Sequence, residues 1–181
     1  TVASPALDDK EEYLLKSIKQ YYEEQMDQDL LEKWIKKSEE VVSADIYNTF
    51  RKRGIFSDKS KAFNFEQIVE MMSIPEKLHK LTKRWLQVLV NEGIITCEAN
   101  AYKASEISTD LGSEKLWKEF FEIEDDFQYS KEFVDYLKES SDLLPELIQG
   151  KEDPLNILFP KGDTDPALAA YHDNKVNGML N

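Results

Sequence analysis

The sequence contains few of the residues from which active sites are usually built. Cys97 is the only cysteine in 181 residues, which excludes an internal disulfide and a cysteine-rich zinc site. Because a lone thiol fits a reducing compartment, we expect a cytoplasmic protein. The two histidines, His79 and His172, are too few for most metal-binding or acid–base constellations, and only His172 has an adjacent acid.

Glycine-rich loops and long apolar runs are missing as well. The six glycines never fall two positions apart, which excludes a glycine-rich phosphate or dinucleotide loop. No apolar run approaches the roughly 20 residues that span a bilayer, so no membrane partner is expected. The first six residues lack the basic start and apolar stretch of a secretion signal. Together with the missing initiator methionine, they are interpreted as the edge of a piece from a longer protein. The sequence thus predicts no catalytic residue and no metal site in this chain.

The net charge of −13 is concentrated in one half of the chain. Residues 1–104 hold 18 acids and 16 bases, a balance of −2, whereas residues 105–181 hold 18 acids and 7 bases, a balance of −11. Lys77, Lys80 and Arg84 have the spacing of one helix face, which could follow a phosphate backbone. DNA-binding domains usually carry a basic surplus, however, and this half has none. Nucleic acid is therefore not an expected partner.

Helical patterns dominate the first half of the sequence. Apolar residues recur at helical spacing from Tyr13 to Tyr22 and again from Leu30 to Ile35, which predicts amino-terminal helices over residues 1–42. Ser43 has the position of an N-cap for a next helix, which would end at Gly54.

A winged-helix-like unit is predicted over residues 43–104. A short apolar helix at 65–72 is followed by a proline turn and a longer apolar stripe from Leu78 to Val90, which stops at Gly93. The segments 94–97 and 102–104 then have the pattern of a small two-stranded hairpin. Helix, helix–turn–helix and hairpin is the order of a winged helix.

The remaining sequence predicts a helical extension over residues 105–150 and a linker with one short helix over 151–181. The acids at 119, 122 and 124–126 lack the glycine and the ligand alternation of a calcium loop, so they are interpreted as a solvated helix face. Ser140 and Ser141 lack a nucleophile elbow. The predicted fold class is mainly α, with a winged-helix-like unit and one small β-hairpin.

The carboxy-terminal segment carries a specific resemblance. Residues 143–162 read LLPELIQGKEDPLNILFPKG, and LAAYHDN follows at 168–174. This resembles the S-adenosylmethionine-dependent methyltransferase domains of modular polyketide synthases, in which a leucine-rich helix, Asp-Pro-Leu, Phe-Pro-x-Gly and a Tyr-x-Asp helix lead into the cofactor-binding core. Residues 86–95 are similar to a further part of those domains. The resemblance covers roughly residues 30–181. His172, Asn174 and Lys175 depart from the Arg, Ser and Pro that are common there, as a degenerate methyltransferase-like domain would.

The resemblance implies a non-catalytic lid or adaptor that helps to enclose a carrier-protein-bound acyl substrate and S-adenosylmethionine. It implies that Tyr171 and Asn181 face the cofactor cleft, and that a methyltransferase core would follow Asn181. The implied partners are that core, the neighbouring synthase domains and an acyl carrier protein, and the parent would be a transferase. Two alternatives stay open: Tyr171 as an ordinary core aromatic residue, and the whole chain as a stand-alone winged-helix protein-interaction module.

Overall fold

The computed structural model describes residues 27–106, 112–153 and 156. Their order of elements is α1 (Gln28–Arg51), β1 (Ala62–Asn64), α2 (Phe65–Met72), a 3-10 turn (Glu76–Leu78), α3 (His79–Asn91), β2 (Ile95–Glu98), β3 (Ala101–Ala104), α4 (Ser113–Phe127), α5 (Lys131–Asp142) and α6 (Leu144–Ile148). The predicted fold class, mainly α with a small hairpin, is confirmed. In these described ranges, every helix is too short or too polar to cross a membrane.

Helix α1 joins two helices that the sequence patterns predict separately. The Asp27 side chain accepts a hydrogen bond from the backbone N–H of Leu30 at 3.0 Å and so caps the helix. The 24 residues then continue without interruption through Ser43, which is buried. The prediction of Ser43 as an N-cap is therefore wrong, because the apolar face from Trp34 to Phe50 is continuous and the helix needs no second start there.

The predicted division at residue 43 falls inside α1, and the division into four segments stays a prediction. The helices expected from Tyr13 to Tyr22 and at 168–171 lie outside the described residues.

The sheet has three antiparallel strands in the order β1-β3-β2, one strand more than the predicted hairpin. Strand β1 pairs with β3 in the register Ala62↔Lys103. Between β2 and β3, Ala99 and Asn100 have φ angles of 48° and 62°, the left-handed pair of a type I′ hairpin turn. The prediction missed β1 because its three residues are too few to show alternation, and pairing with β3 rather than propensity holds it.

The end of β1 also starts the next helix. The Asn64 side chain accepts a hydrogen bond from the Gln67 backbone N–H at 2.8 Å, and the Gln67 side chain accepts one from the Asn64 N–H at 2.9 Å. This capping box satisfies two backbone donors that would otherwise lack partners. A local sequence pattern thus fixes the turn from strand to helix.

Two clusters of buried apolar side chains make the core, and α1 contributes to both. The first contains Ile46, Tyr47, Phe50, Ile55, Phe56, Ile68, Met72, Ile74, Leu86, Leu89, Ile95, Ala104, Leu144 and Ile148. The second contains Trp34, Val41, Ala44, Leu116, Trp117, Phe120, Phe127 and Val134. The last turns of α1, from Ile46 to Phe50, thus pack with α2, α3 and the sheet. The stretch before them, from Trp34 to Ala44, packs with α4 and α5.

Candidate functional site

The residues that the sequence resemblance assigns to a cofactor cleft, Tyr171 and Asn181, lie outside the described residues, as does His172. His79 is described, and its Nε2 lies 3.2 Å from the carbonyl oxygen of Ile74 while the ring stands edge-on to Phe65 at 5.6 Å. These contacts give His79 a structural role. No group of three His, Cys, Asp or Glu side chains within 27–106, 112–153 and 156 is arranged to hold a metal ion.

Asp45, on α1, is a hydrogen-bonding centre that the sequence does not reveal. Its carboxylate accepts the indole N–H of Trp117 at 2.7 Å. It also accepts the hydroxyl groups of Ser113 and Ser141. One half-buried carboxylate thus ties α4 and α5 to α1. A cleft of about 430 Å³ opens beside it and is lined in part by Thr49, but the Asp45 oxygens are already engaged in these bonds.

Glu124 is buried, contrary to the prediction of a solvated acidic face. One carboxylate oxygen accepts the indole N–H of Trp34 at 2.6 Å, and the other accepts the backbone N–H of Ser130 at 3.0 Å. The Trp34 ring in turn stacks on Tyr129 with 4.5 Å between centroids. Burial, and then the charge of Glu124, raise the pKa of the Tyr129 hydroxyl.

The remaining acids of this run are on the surface, where one of them pairs with α1. Glu119 accepts a hydrogen bond from Lys37 at 2.9 Å, and Lys37 also lies 2.7 Å from Glu40. Burial opposes the charge of Lys37, but the hydrogen bonds to both carboxylates prevail and raise its pKa. The hydrogen bond from Lys37 lowers the pKa of Glu119. The acidic run therefore serves helix packing and solvation.

An apolar groove is the most distinctive surface feature of the described residues. It encloses about 220 Å³ between α1, α3, α5 and α6, and is lined by Val42, Leu78, Leu81, Trp85, Tyr136, Leu137, Ser140, Ser141, Leu144 and Leu147. Val42 and Leu137 also line a neighbouring cavity of about 440 Å³, which extends past Val88 toward Asn91. Such a groove can hold apolar groups, and its lining supplies no nucleophile–base pair.

Comparison with solved structures identifies the architecture. The CurJ carbon methyltransferase superposes with a TM-score of 0.79 at 17% identity, over 93% of this chain and 44% of that one. The chain has the fold of one part of a carbon methyltransferase. The DszA carbon methyltransferase agrees, with a TM-score of 0.76 at 18% identity over 98% of this chain and 44% of that one. The methyltransferase resemblance of the sequence is thereby confirmed at the level of the fold.

Sequence relatives are more distant and far longer. The pyochelin synthetase PchF from two Pseudomonas aeruginosa strains is 25% and 24% identical over 118 residues. That stretch covers 65% of this chain but 6% of the synthetase. The chain therefore spans under half of the length of the matched structures and a small part of the length of the matched synthetases. No protein-family profile matches the sequence.

Proposed function

We propose that the chain is a non-catalytic lid or adaptor segment of a polyketide synthase methyltransferase or methyltransferase-like domain. The observation that carries this proposal is the coverage of the structural match: nearly all of the chain corresponds to 44% of each carbon methyltransferase. The parent would then be a cytoplasmic multidomain transferase. Its partners would be the methyltransferase core, the neighbouring synthase domains and an acyl carrier protein.

A lid acts by excluding water and by positioning a substrate over a cofactor, so it needs apolar surface and little reactive chemistry. The described carboxylates Asp45 and Glu124 are both engaged in helix packing, so neither supplies a reactive group. Within this proposal, Tyr171 and Asn181 face S-adenosylmethionine, which the parent domain binds.

The test is methyl transfer by the chain joined to its natural downstream sequence. Labelled S-adenosylmethionine and an acyl group on a carrier protein are supplied, and the labelled product is measured. We expect transfer by the joined protein, loss of it when residues 27–153 are deleted, and none from the 181-residue chain alone. A joined protein without methyltransferase activity and without a cofactor-binding core would contradict the proposal.

The two predicted cofactor contacts are tested in the same assay. Tyr171→Ala and Asn181→Ala should each raise the KM for S-adenosylmethionine, while Asn177→Ala, a matched polar change in the same tail, should not. Unchanged KM values in both variants would remove Tyr171 and Asn181 from the cofactor site without removing the lid.

A stand-alone winged-helix interaction module remains the second candidate. The order α1, β1, α2, α3, β2, β3, with β1 beside the returning hairpin, supports a winged-helix-like unit over these elements. A partner that binds the isolated chain equally well with and without the downstream sequence would favour this candidate.

A further inference from the structure

One wall of the apolar groove is an amphipathic stripe on α3 and the turn before it. Leu78, Leu81 and Trp85 follow one another at helical spacing and all line the groove. Leu81 is 39% exposed, a large value for a leucine that lies beside a core. The same helix presents Val88 to the adjoining cavity. From Leu78 to Asn91 the wall is about 20 Å long at 1.5 Å per residue, which matches four turns of a partner helix.

A row of cations borders this wall. Lys77, Lys80 and Arg84 are exposed, and each immediately precedes a residue that lines the groove, so each lies about 100° around the helix from it. None of the three takes part in an ion pair within residues 27–106, 112–153 and 156. Lys83, in contrast, lies over the Phe65 ring at 4.6 Å and is directed toward α2. Among the described residues, the groove therefore has a row of cations without ion-pair partners along its α3 edge.

Acidic side chains lie elsewhere around the groove, and Glu39 and Glu92 line the adjoining cavity. Glu139 is exposed on α5 beside Ser140, which lines the groove, and it makes no ion pair in the same described ranges. Although the whole chain has a net charge of −13, charges are screened over about 8 Å at physiological ionic strength, so an occupant senses the local edges. A molecule that complements these charges needs acidic groups next to α3 and can carry a basic group next to α5.

We propose that this groove binds an amphipathic helix of a partner protein, with an apolar stripe in the groove and acidic residues along the Lys77–Arg84 edge. The phosphates of a nucleic acid could pair with the cations, but they would leave the apolar wall uncovered and would be repelled by Glu139. This inference goes beyond the lid assignment and does not depend on it, because it rests on the groove and its edges alone.

The probe is a labelled 18-residue helical peptide with leucines at positions 4, 8, 11 and 15 and glutamates along one flank. Its affinity for the 181-residue chain is measured by fluorescence anisotropy. A second peptide carries lysines in place of the glutamates. We expect the glutamate peptide to bind, the lysine peptide to bind at least about tenfold more weakly, and the difference to shrink as salt is added.

Charge reversal locates the site. The triple variant K77E/K80E/R84E should lose about tenfold or more in affinity for the glutamate peptide. The control K33E/K36E/K118E makes the same change in net charge at exposed lysines that do not line the groove. Leu81→Asp should abolish binding, and Met71→Asp, at a similarly exposed apolar residue on α2, should not. Unaltered folding of each variant is checked by circular dichroism.

Five outcomes would overturn the proposal, the first four in the peptide, variant and association measurements. These four are equal affinity for the glutamate and lysine peptides, equal losses in the target and control triples, preferential binding of a double-stranded oligonucleotide by the same surface, and a concentration-dependent dimer that Leu81→Asp dissociates. Peptide binding only after removal of residues 1–26 would likewise assign the groove to this chain's own terminus and not to a partner.

Discussion

The indole N–H of Trp34 donates a hydrogen bond of 2.6 Å to the Glu124 carboxylate, across 90 positions of sequence. Both side chains are buried, and the other Glu124 oxygen accepts the Ser130 backbone N–H. A buried carboxylate is costly to desolvate and remains in the fold only when its acceptor sites are used. The pair therefore fixes how α4 and the turn to α5 sit on α1.

Replacing Glu124 tests this arrangement. Glu124→Leu leaves the Trp34 and Ser130 donors buried without acceptors, and should lower the free energy of unfolding by about 2–4 kcal/mol. Glu124→Gln keeps one acceptor and should cost about half as much. Urea unfolding followed by tryptophan fluorescence measures both. Glu122→Gln, at an exposed position of the same helix, is the control, and a Glu124→Leu variant as stable as this control would contradict the role assigned to the pair.

The turn between β2 and β3 offers a stabilising change. Ala99 has φ = 48°, a left-handed conformation that costs an L-residue with a Cβ about 1–2 kcal/mol. Ala99→Gly removes this cost but raises the conformational entropy of the unfolded chain. We therefore expect the free energy of unfolding to rise by about 0.5 kcal/mol. The matched control is Ala101→Gly in β3, where glycine should destabilise by about 0.5–1 kcal/mol. Chemical denaturation compares the two, and destabilisation by both changes would argue against the left-handed turn.

The Lys37–Glu119 pair predicts a pH dependence at the acidic end. The folded-state pKa of Glu119 is below its ordinary value of 4.5, so the pair stabilises the fold above pH 4.5 and this contribution is lost as the pH falls through the lowered pKa. At pH 7, Glu119→Gln should shift the urea midpoint slightly downward, because Glu119 is partly exposed and solvent screens the pair. The difference from the unaltered chain should shrink as the pH falls through the lowered pKa of Glu119.

At alkaline pH the same pair loses its contribution to stability as the pH rises. The pKa of Lys37 is raised above 10.5, so its contribution is complete below pH 10.5 and is lost as the pH rises through the raised pKa. Glu122→Gln, which removes an exposed charge from the same helix, serves as the control across the whole range. A pH profile of Glu119→Gln that parallels the unaltered chain at both ends would show that the pair does not contribute.

Local patterns predicted the parts of the fold that depend on local chemistry. The stripe from Leu78 to Val90 and the stop at Gly93 predicted α3, and the Ala99–Asn100 turn lies inside the predicted hairpin. Long-range pairing decided the rest. Strand β1 exists because β3 pairs with it, and Glu124 is buried because Trp34, far away in sequence, donates to it. Asp45 is an ordinary exposed helical acid by pattern, and only the packing of α4 and α5 reveals its role.

The predicted site could be reached only through the resemblance. Tyr171 and Asn181 were assigned by likeness to methyltransferase domains and remain predictions. The groove was missed because its walls come from four helices, and in the sequence Leu81 and Leu137 look like ordinary core residues of their own helices. The basic face of Lys77, Lys80 and Arg84 was visible in the sequence, but its neighbour, the apolar wall, was not.

Helix α1 supplies side chains to both buried clusters, and at 1.5 Å per residue its 24 residues form a rod of about 36 Å. If one cluster unfolded alone, the apolar side chains that α1 contributes to it would be exposed to solvent. The elements from α1 to β3 and the helices α4 to α6 should therefore unfold in one transition. A truncation within α1 should leave both fragments unfolded and should not yield two folded domains. Because α1 spans both clusters as one helix, a displacement of one end would tilt the helix and move the side chains that pack at the other end.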